Sequence, residues 1–346
     1  MKVLVTGGAG FIGSHVVDAL VEDGCEVVVV DSLLPAAHEN KPDYLDDRVD
    51  YRFIDLRDVE ALAEAVAGVD AVSHQAAMVG LGRSFQDVTA YVDNNDLGTA
   101  ALLRVLDSVG FTGRLAVASS MVVYGEGRYE CPMHGTVSPP PRRIVELEAG
   151  IFELSCPECD SPLEPLAVTE DARTDPRNVY AATKLHQEHL CSAFGRETGA
   201  SVVALRYHNV YGSRMPRDTP YAGVASIFRS ALQAGEPPLV YEDGAQIRDF
   251  IHVRDVARSN VAALQEDGPT GAFNIATGSP TPILEVARIL TDSFDGDIEL
   301  VVTGAFRIGD VRHVFASPAR ARLELGWHAE TNPAAGLKAF AGEALR

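Results

Sequence analysis

Long hydrophobic runs are absent from this 346-residue chain, and no stretch approaches the roughly 18 apolar residues of a membrane-spanning helix. The opening MKVLVTGG reaches glycines after one short apolar burst, so it reads neither as a secretion signal nor as an anchor, and the expected location is the cytoplasm. Positive charge is scarce: 29 lysines and arginines face 49 aspartates and glutamates, a net charge of -20. Such a surface disfavours nucleic acid and anionic membranes as partners, and any anion has to be held in a local basic pocket. Cysteine is sparse and odd in number, five in all, which argues against a disulfide framework and leaves reduced thiols or a metal. What remains is an ordinary balance, 46 % hydrophobic and 23 % charged, over a length that suits one large α/β unit with a smaller lobe.

Short β-rich runs without polar alternation, KVLVT at 2–6 and EVVVV at 26–30, have the pattern of strands buried on both faces of a parallel sheet. Helical spacing runs from Phe11 to Glu22 between them. The alternation then predicts a strand near 51–54, a helix near 58–67, a strand at 70–74, a long helix at about 91–109 and a strand at 114–118. This rhythm predicts a doubly wound parallel sheet with helices on both faces. Residues 126–176 break it with clustered prolines and with Cys-x2-His and Cys-x2-Cys pairs, and read as an insertion. A helix at about 177–198 and a strand at 202–206 resume the pattern before a smaller, irregular lobe.

Thr6 to Ser14, TGGAGFIGS, joins the first strand to the first helix with Gly7, Gly10 and Gly13 three apart. Glycine permits a tight turn and close backbone approach to a pyrophosphate, and the helix N-terminus adds a positive dipole end. Asp31 closes the second strand, where a carboxylate accepts hydrogen bonds from ribose hydroxyls and repels a 2′-phosphate, so the expected cofactor is NAD rather than NADP. In Asp55-Leu56-Arg57-Asp58, Asp55 is a candidate for the adenine edge, while Asp58 reads equally as a helix cap. Tyr180 and Lys184 of YAATK stand four apart, on one helical face, and a neighbouring ammonium together with a nicotinamide cation is expected to lower the phenol's pKa. Ser120 follows an apolar strand on the side of the sheet where such folds bind ligands. The candidate catalytic set is therefore Ser120, Tyr180 and Lys184.

TGGAGFIGS, HQAA at 74–77, NNDLGT at 94–99, SSMVVYG at 119–125, YAATK, RYHNVYG at 206–212 and QIRDFIHVRDVA at 246–257 together resemble the extended short-chain dehydrogenase/reductase family, the nucleotide-sugar epimerases and dehydratases. The resemblance implies a Rossmann unit over 1–205, a substrate lobe over 206–346 with part of 249–275 returning to the first unit, and a homodimer formed through the helices at 91–109 and 178–198. It implies a tightly held NAD at Gly7, Gly10, Phe11, Ile12, Gly13, Asp31, Asp55, Leu56, Ala76, Asn95, Tyr180 and Lys184. It implies a nucleotide-diphosphate sugar near Met121, with Asn209 and Arg248 at the diphosphate and Arg307 and Asp310 near the nucleotide. His74 is expected beneath the nicotinamide. Family members that dehydrate the sugar carry an acid just after the active-site hydroxyl, whereas this chain has Met121 and Val122. Neither donates a proton to a leaving hydroxyl, which leaves epimerisation at C4 through a 4-keto sugar as the expected reaction. The patterns HQAAMVGLG, PYAGVASIF and VYEDGAQIRDF are most similar to those of members that epimerise dTDP-L-rhamnose, with UDP-sugar 4-epimerases next. A nucleotide-sugar ketoreductase or dehydratase and a non-catalytic NAD sensor stay open as other readings.

Within the insertion, Cys131-x2-His134 and Cys156-x2-Cys159 have the spacing of two metal knuckles, able to close a tetrahedron around a structural zinc ion. The insertion grows from the loop between Ser120 and Tyr180, so it is expected to overhang the sugar pocket as a lid or recognition element.

Overall fold

The computed structural model describes residues 1–35, 37–38, 40–79, 85–217, 223–295 and 298–346. Parts of HQAAMVGLG and of PYAGVASIF lie outside the described residues. Seven parallel strands form the central sheet, in the spatial order Gly271–Ile275, Ser201–Tyr207, Arg114–Ser120, Ala71–His74, Lys2–Thr6, Glu26–Val30 and Asp50–Arg52. Chain order reverses between Lys2–Thr6 and Ala71–His74, which opens a crevice at the carboxyl ends of the strands. Alternate side chains of these apolar strands feed two cores. Val3, Val5, Val27 and Val29 pack against Val16, Val17 and Leu20 of helix Phe11–Glu22 and Val256 of helix Val253–Ala263. Leu4, Val28, Val30 and Val72 pack against Leu62 of helix Val59–Ala65, Leu102 and Leu106 of helix Gly98–Ser108, and Cys191 and Phe194 of helix Val179–Thr198.

The sequence pattern predicts one helix over 91–109, and the structure divides it. An α-turn at Val88–Tyr91 leads into a wide π segment at Val92–Leu97 before the α-helix resumes at Gly98. The reason is Asn95, which the wide turn aims at the loop after strand Ala71–His74: its Oδ1 accepts from Met78 N at 2.6 Å and its Nδ2 donates to Met78 O at 3.0 Å. The strand expected at 114–118 runs on to Ser120, because pairing with Ser201–Tyr207 continues through Ser120 opposite Tyr207.

A third core, with Phe228, Leu232, Phe250, Val286, Leu290 and Phe340, builds the smaller lobe around helices Val224–Gln233, Ile283–Thr291 and Pro333–Phe340. The insertion contains a three-stranded antiparallel sheet of Gly135–Val137, Arg128–Cys131 and Glu164–Leu166. Its own apolar cluster, Tyr129, Cys131, Leu154, Cys156 and Leu163, is too small to hold the segment by burial alone, while Val168 packs outward against Val123, Tyr124 and Ala316.

Candidate functional site

A cavity of about 1470 Å³ runs along the carboxyl ends of the strands and on into the smaller lobe. Its wall sets Arg57, Arg177, Lys184, Arg248, Arg307 and Arg346 against Asp31, Asp55, Glu236 and Asp310, a local excess of positive side chains in an otherwise acidic chain.

At one end lie Gly7, Gly10, Phe11, Ile12, Gly13, Asp31, Asp55, Leu56 and Ala76. A Cβ on Gly13 would stand 2.0 Å from Gly7 O, and one on Gly7, where φ is +69°, would stand 2.7 Å from Ala76 N. These two glycines let loop, helix and neighbouring strand close together. Gly10 is the N-cap of helix Phe11–Glu22 and supplies no capping side chain, so the first N–H groups of the helix stay open toward an anion. Asp31 is fixed by N–H donors from Ala9 (3.0 Å to Oδ2) and Leu33 (2.8 Å to Oδ1), and keeps acceptor capacity on the cavity side. An uncapped helix start beside a fixed carboxylate fits the pyrophosphate and ribose of NAD.

The alternatives for Asp55 and Asp58 resolve into separate duties. Asp58 caps helix Val59–Ala65 by accepting from Ala61 N at 3.2 Å. Asp55 lines the cavity paired to Arg57 (2.6 Å), and hydrogen bonds from Arg57 hold its pKa below the usual carboxylate value. Asn95, expected among the cofactor ligands, is fully buried and spends its side chain on Met78 and Thr183, so it positions the loop that carries Ala76 and lies outside the cavity wall. His74 is likewise enclosed, between Thr6 Oγ1 at 2.7 Å and Thr99 Oγ1 at 2.9 Å, and burial takes its pKa down to about 3. It is neutral and does not line the cavity.

Ser120, Tyr180 and Lys184 all line the cavity, with Tyr180 hydrogen-bonded to Ser120. Asn178 caps helix Val179–Thr198 by accepting from Ala181 N at 2.9 Å, which puts Tyr180 in the first turn, where the helix dipole favours negative charge. Lys184 is buried and donates to Ala118 O at 2.7 Å and Gln187 Oε1 at 2.9 Å. Lys184 is not among the groups that lower the Tyr180 phenol, so the lowering expected from the ammonium together with a nicotinamide cation falls to the cation. Burial raises the phenol to about 12, opposed by a hydrogen bond with Ser120. Burial also lowers Lys184 to about 8, opposed by the neighbouring Cys191 and Glu188. Taking both groups out of water penalises each charged form, and the ammonium is already engaged with a carbonyl and an amide. A phenolate at neutral pH therefore needs a further positive charge next to Tyr180.

Beneath these groups lies a pairing that the motifs do not advertise. Glu188, one turn beyond Lys184, holds the buried Arg206 through two bonds (3.0 Å from Nε to Oε1, 2.9 Å from Nη2 to Oε2) and also accepts from Ser119 Oγ. Arg206 donates in addition to Tyr124 OH at 2.9 Å. The helix that carries Tyr180 and the strand that carries Ser120 are thereby pinned to each other. Position i+4 from Lys184 is the only sequence signal for it.

At the far end the cavity is lined by Met121, Asn209, Tyr241, Arg248, Arg307 and Asp310. The Nη groups of Arg248 donate to Asp310 Oδ1 (3.0 Å), Val311 O (2.6 Å), Arg312 O (2.9 Å) and Ile247 O (2.9 Å), so Arg248 and Asp310 meet the cavity as an ion pair. The Arg307 guanidinium lies over the Tyr241 ring, 5.0 Å from its centre. Asn209 has a buried Oδ1 without a hydrogen-bond partner. His208 is buried and kept neutral by desolvation, its pKa lowered to about 3.

The donor atoms of Cys131, His134, Cys156 and Cys159 all lie within 4.8 Å of one another, so the two sequence knuckles form one cluster able to hold a metal. The nearest approaches are 3.6 Å from Cys131 Sγ to His134 Nδ1, 3.6 Å from Cys131 Sγ to Cys159 Sγ, and 3.4 Å from His134 Nδ1 to Cys156 Sγ. The lid expectation fails: among the described residues, no member of 126–176 lines the cavity, whose wall passes from Val122 to Arg177. The insertion leans instead against the outer side of the segment behind Arg307 and Asp310.

The profile of the NAD dependent epimerase/dehydratase family matches residues 3–144 and 155–276. The chain belongs to that family. The gap in the match falls inside the insertion. A dTDP-L-rhamnose 4-epimerase of Burkholderia thailandensis is 34 % identical over 94 % of this chain and 90 % of its own length. Among solved structures, the UDP-glucose 4-epimerase of Thermus thermophilus in complex with NAD is 30 % identical, with a TM-score of 0.78 over 99 % of this chain and 98 % of that one. The UDP-glucuronic acid 4-epimerase of Bacillus cereus, in complex with UDP-glucuronic acid and NAD, is 26 % identical, with a TM-score of 0.78 over 99 % and 98 %. The family expected from the seven motifs and the Rossmann-like parallel sheet both stand.

Proposed function

We propose that this family member is an NAD-dependent epimerase that inverts C4 of a nucleotide-diphosphate sugar. The observation that carries the reading is one continuous cavity whose wall holds the glycine cradle, the Arg248–Asp310 pair, and Ser120, Tyr180 and Lys184 together. NAD, when bound, supplies a reversible hydride acceptor. Tyr180 accepts the proton of the C4 hydroxyl and returns it after inversion, and Ser120 holds the same oxygen within reach of the phenol. Lys184, held by Ala118 O and Gln187, supplies positive charge beside the site. Asn209, whose amide Nδ2 can donate to a phosphate oxygen, and the Arg307 guanidinium suit the nucleotide-diphosphate half. Between Ser119 and Val122 the wall offers no carboxyl group, which disfavours dehydration.

Resemblance to the Burkholderia enzyme supports dTDP-L-rhamnose as the substrate, with UDP-hexoses and UDP-glucuronate next. Incubation of the purified protein with each, without added cofactor, followed by NMR of the sugar H4 signal, tests the reading. Appearance of a C4 epimer supports it, and silence from all three counts against it. In the Tyr180→Phe variant bound NAD should remain while turnover disappears.

The four-residue cluster is proposed to hold a structural zinc. Zn–S and Zn–N bonds of about 2.3 and 2.0 Å give tetrahedral edges of about 3.8 Å for S···S and 3.5 Å for S···N. The 3.4–3.6 Å approaches agree with those edges. With four protein ligands the site has no open position, so the ion acts on folding rather than on catalysis. A homodimer is proposed through the region of 91–109 and 178–198, supported by the exposure of Val92, Leu97 and Val109. Residence in the cytoplasm is supported by five unpaired cysteines. Among the described residues no helix is long and apolar enough to cross a membrane.

A further inference from the structure

Arg312 is fully buried, although its side chain serves no reacting atom and does not line the cavity. It gathers three carboxylates: Glu242 (2.8 Å), Asp243 (2.8 and 2.9 Å) and, from the insertion, Glu153 (3.0 Å from Nε). Glu153 turns its second oxygen to His313 Nε2 at 2.9 Å. A second insertion residue, Arg142, reaches the same place, donating to Glu242 Oε1 at 2.7 Å and to Asp310 O at 2.8 Å. The groups gripped from outside are thus the immediate neighbours of cavity-wall residues: Glu242 follows Tyr241, and Arg312 follows Val311 and the Asp310 that pairs with Arg248. Glu242 is itself held at a φ of +52°, a left-handed conformation that costs a side-chain-bearing residue free energy and persists when its surroundings over-determine it. Both its carboxylate oxygens are committed, one to Arg142 and one to Arg312.

Glu153 stands three residues before Cys156, and Leu154 between them packs in the cluster of Tyr129, Cys131 and Leu163. The Cys/His cluster therefore fixes the segment that delivers Glu153. We propose that the insertion is a positioning module for the nucleotide half of the substrate pocket: the metal knuckle holds Glu153, and Glu153 with Arg142 clamps Arg312 and Glu242 so that Tyr241, Arg307 and Asp310 keep their places on the cavity wall. Glu153 and Arg142 are positioning residues, since neither lines the cavity. The inference rests on the nucleotide-sugar reading and on the metal assignment above.

The test uses the full-length protein as purified, its variants Glu153→Gln and Arg142→Met, and wild type freed of metal by chelation. Titration calorimetry with UDP and with dTDP reads the nucleotide half without needing turnover, and steady-state kinetics on whichever nucleotide sugar is epimerised separates KM from kcat. Both variants should bind the preferred nucleotide about tenfold more weakly and raise KM by a like factor, with kcat within about twofold and bound NAD unchanged. Metal-free wild type should show the same pattern, and removing metal from Glu153→Gln should add little, because both perturbations release one clamp. Unchanged nucleotide affinity in both variants overturns the inference, as does a fall in kcat with KM unmoved. A metal-free protein that binds nucleotide like wild type severs the knuckle from the clamp and overturns that link. Failure of the wild type to epimerise any donor counts against the proposed function, and the nucleotide titrations still decide the clamp.

Discussion

Lys184 carries a stability cost that can be isolated by pH. It is 3 % exposed, and burial moves its ammonium from 10.5 to about 8. At about 1.4 kcal/mol per decade of equilibrium constant, that displacement corresponds to roughly 3 kcal/mol of native-state destabilisation. Between pH 8 and 10.5 the unfolded chain holds a proton that the folded chain has lost, so stability rises with pH across that window. The cost is fully present below pH 8 and is gone above 10.5. Other groups titrate nearby, among them Tyr180 and Tyr207, both raised to about 12 by burial, and they act with the opposite sign at high pH. Comparison with Lys184→Met cancels these two tyrosines, whose shifts owe nothing to Lys184. That variant also leaves Ala118 O and Gln187 Oε1 without their donor, an offset that does not vary with the Lys184 charge. Urea unfolding of cofactor-stripped wild type and Lys184→Met at pH 7.5 and at pH 10.5 should show wild type gaining about 3 kcal/mol on the variant as pH rises. A difference that stays constant within about 0.5 kcal/mol would refute the account of a desolvated ammonium, and a difference of opposite sign would mean that the partners of Lys184 outweigh its burial.

Three further outcomes are expected. Gly13→Ala forces a methyl to within 2.0 Å of Gly7 O, so the turn must open, and the variant should purify without NAD, as read by absorbance of the supernatant after denaturation. Glu188→Ala strands the buried Arg206 and should cost about 3–5 kcal/mol, a drop in melting temperature of roughly 4–7 °C for a chain of this size, while a Glu188→Met/Arg206→Met pair recovers part of it in calorimetry. Chelation of the zinc proposed at Cys131, His134, Cys156 and Cys159 should open 126–176 to limited proteolysis while the parallel sheet stays resistant, because the insertion's own apolar cluster is small.

Much of the site was legible because its parts are local. The strand–glycine–helix junction at 6–14, the aspartate that ends the second strand and the four-residue spacing of Tyr180 and Lys184 are short-range patterns with one favourable geometry each. The two Cys/His knuckles were legible for the same reason, since each pair is set by its own turn. The break of the helix at 92–97 was not, because the hydrophobic spacing continues through it and only the partner loop at Met78 shows what Asn95 is for. The expected lid was misplaced because a position in the chain between Ser120 and Tyr180 says where an insertion starts and not which way it leans.

Periodicity, turn chemistry and motif spacing by themselves determined the doubly wound sheet, the glycine-rich junction at its first strand, and which hydroxyl, phenol, ammonium and Cys/His groups are the candidates for chemistry. Tertiary structure alone decided which charges those groups carry and what the insertion touches. Desolvation depends on every neighbour at once, so the phenol at about 12 and the ammonium at about 8 are properties of the packed site. The grip of Glu153 on Arg312 joins residues 159 apart, and no local rule of spacing links two ion-pair partners across that length of chain.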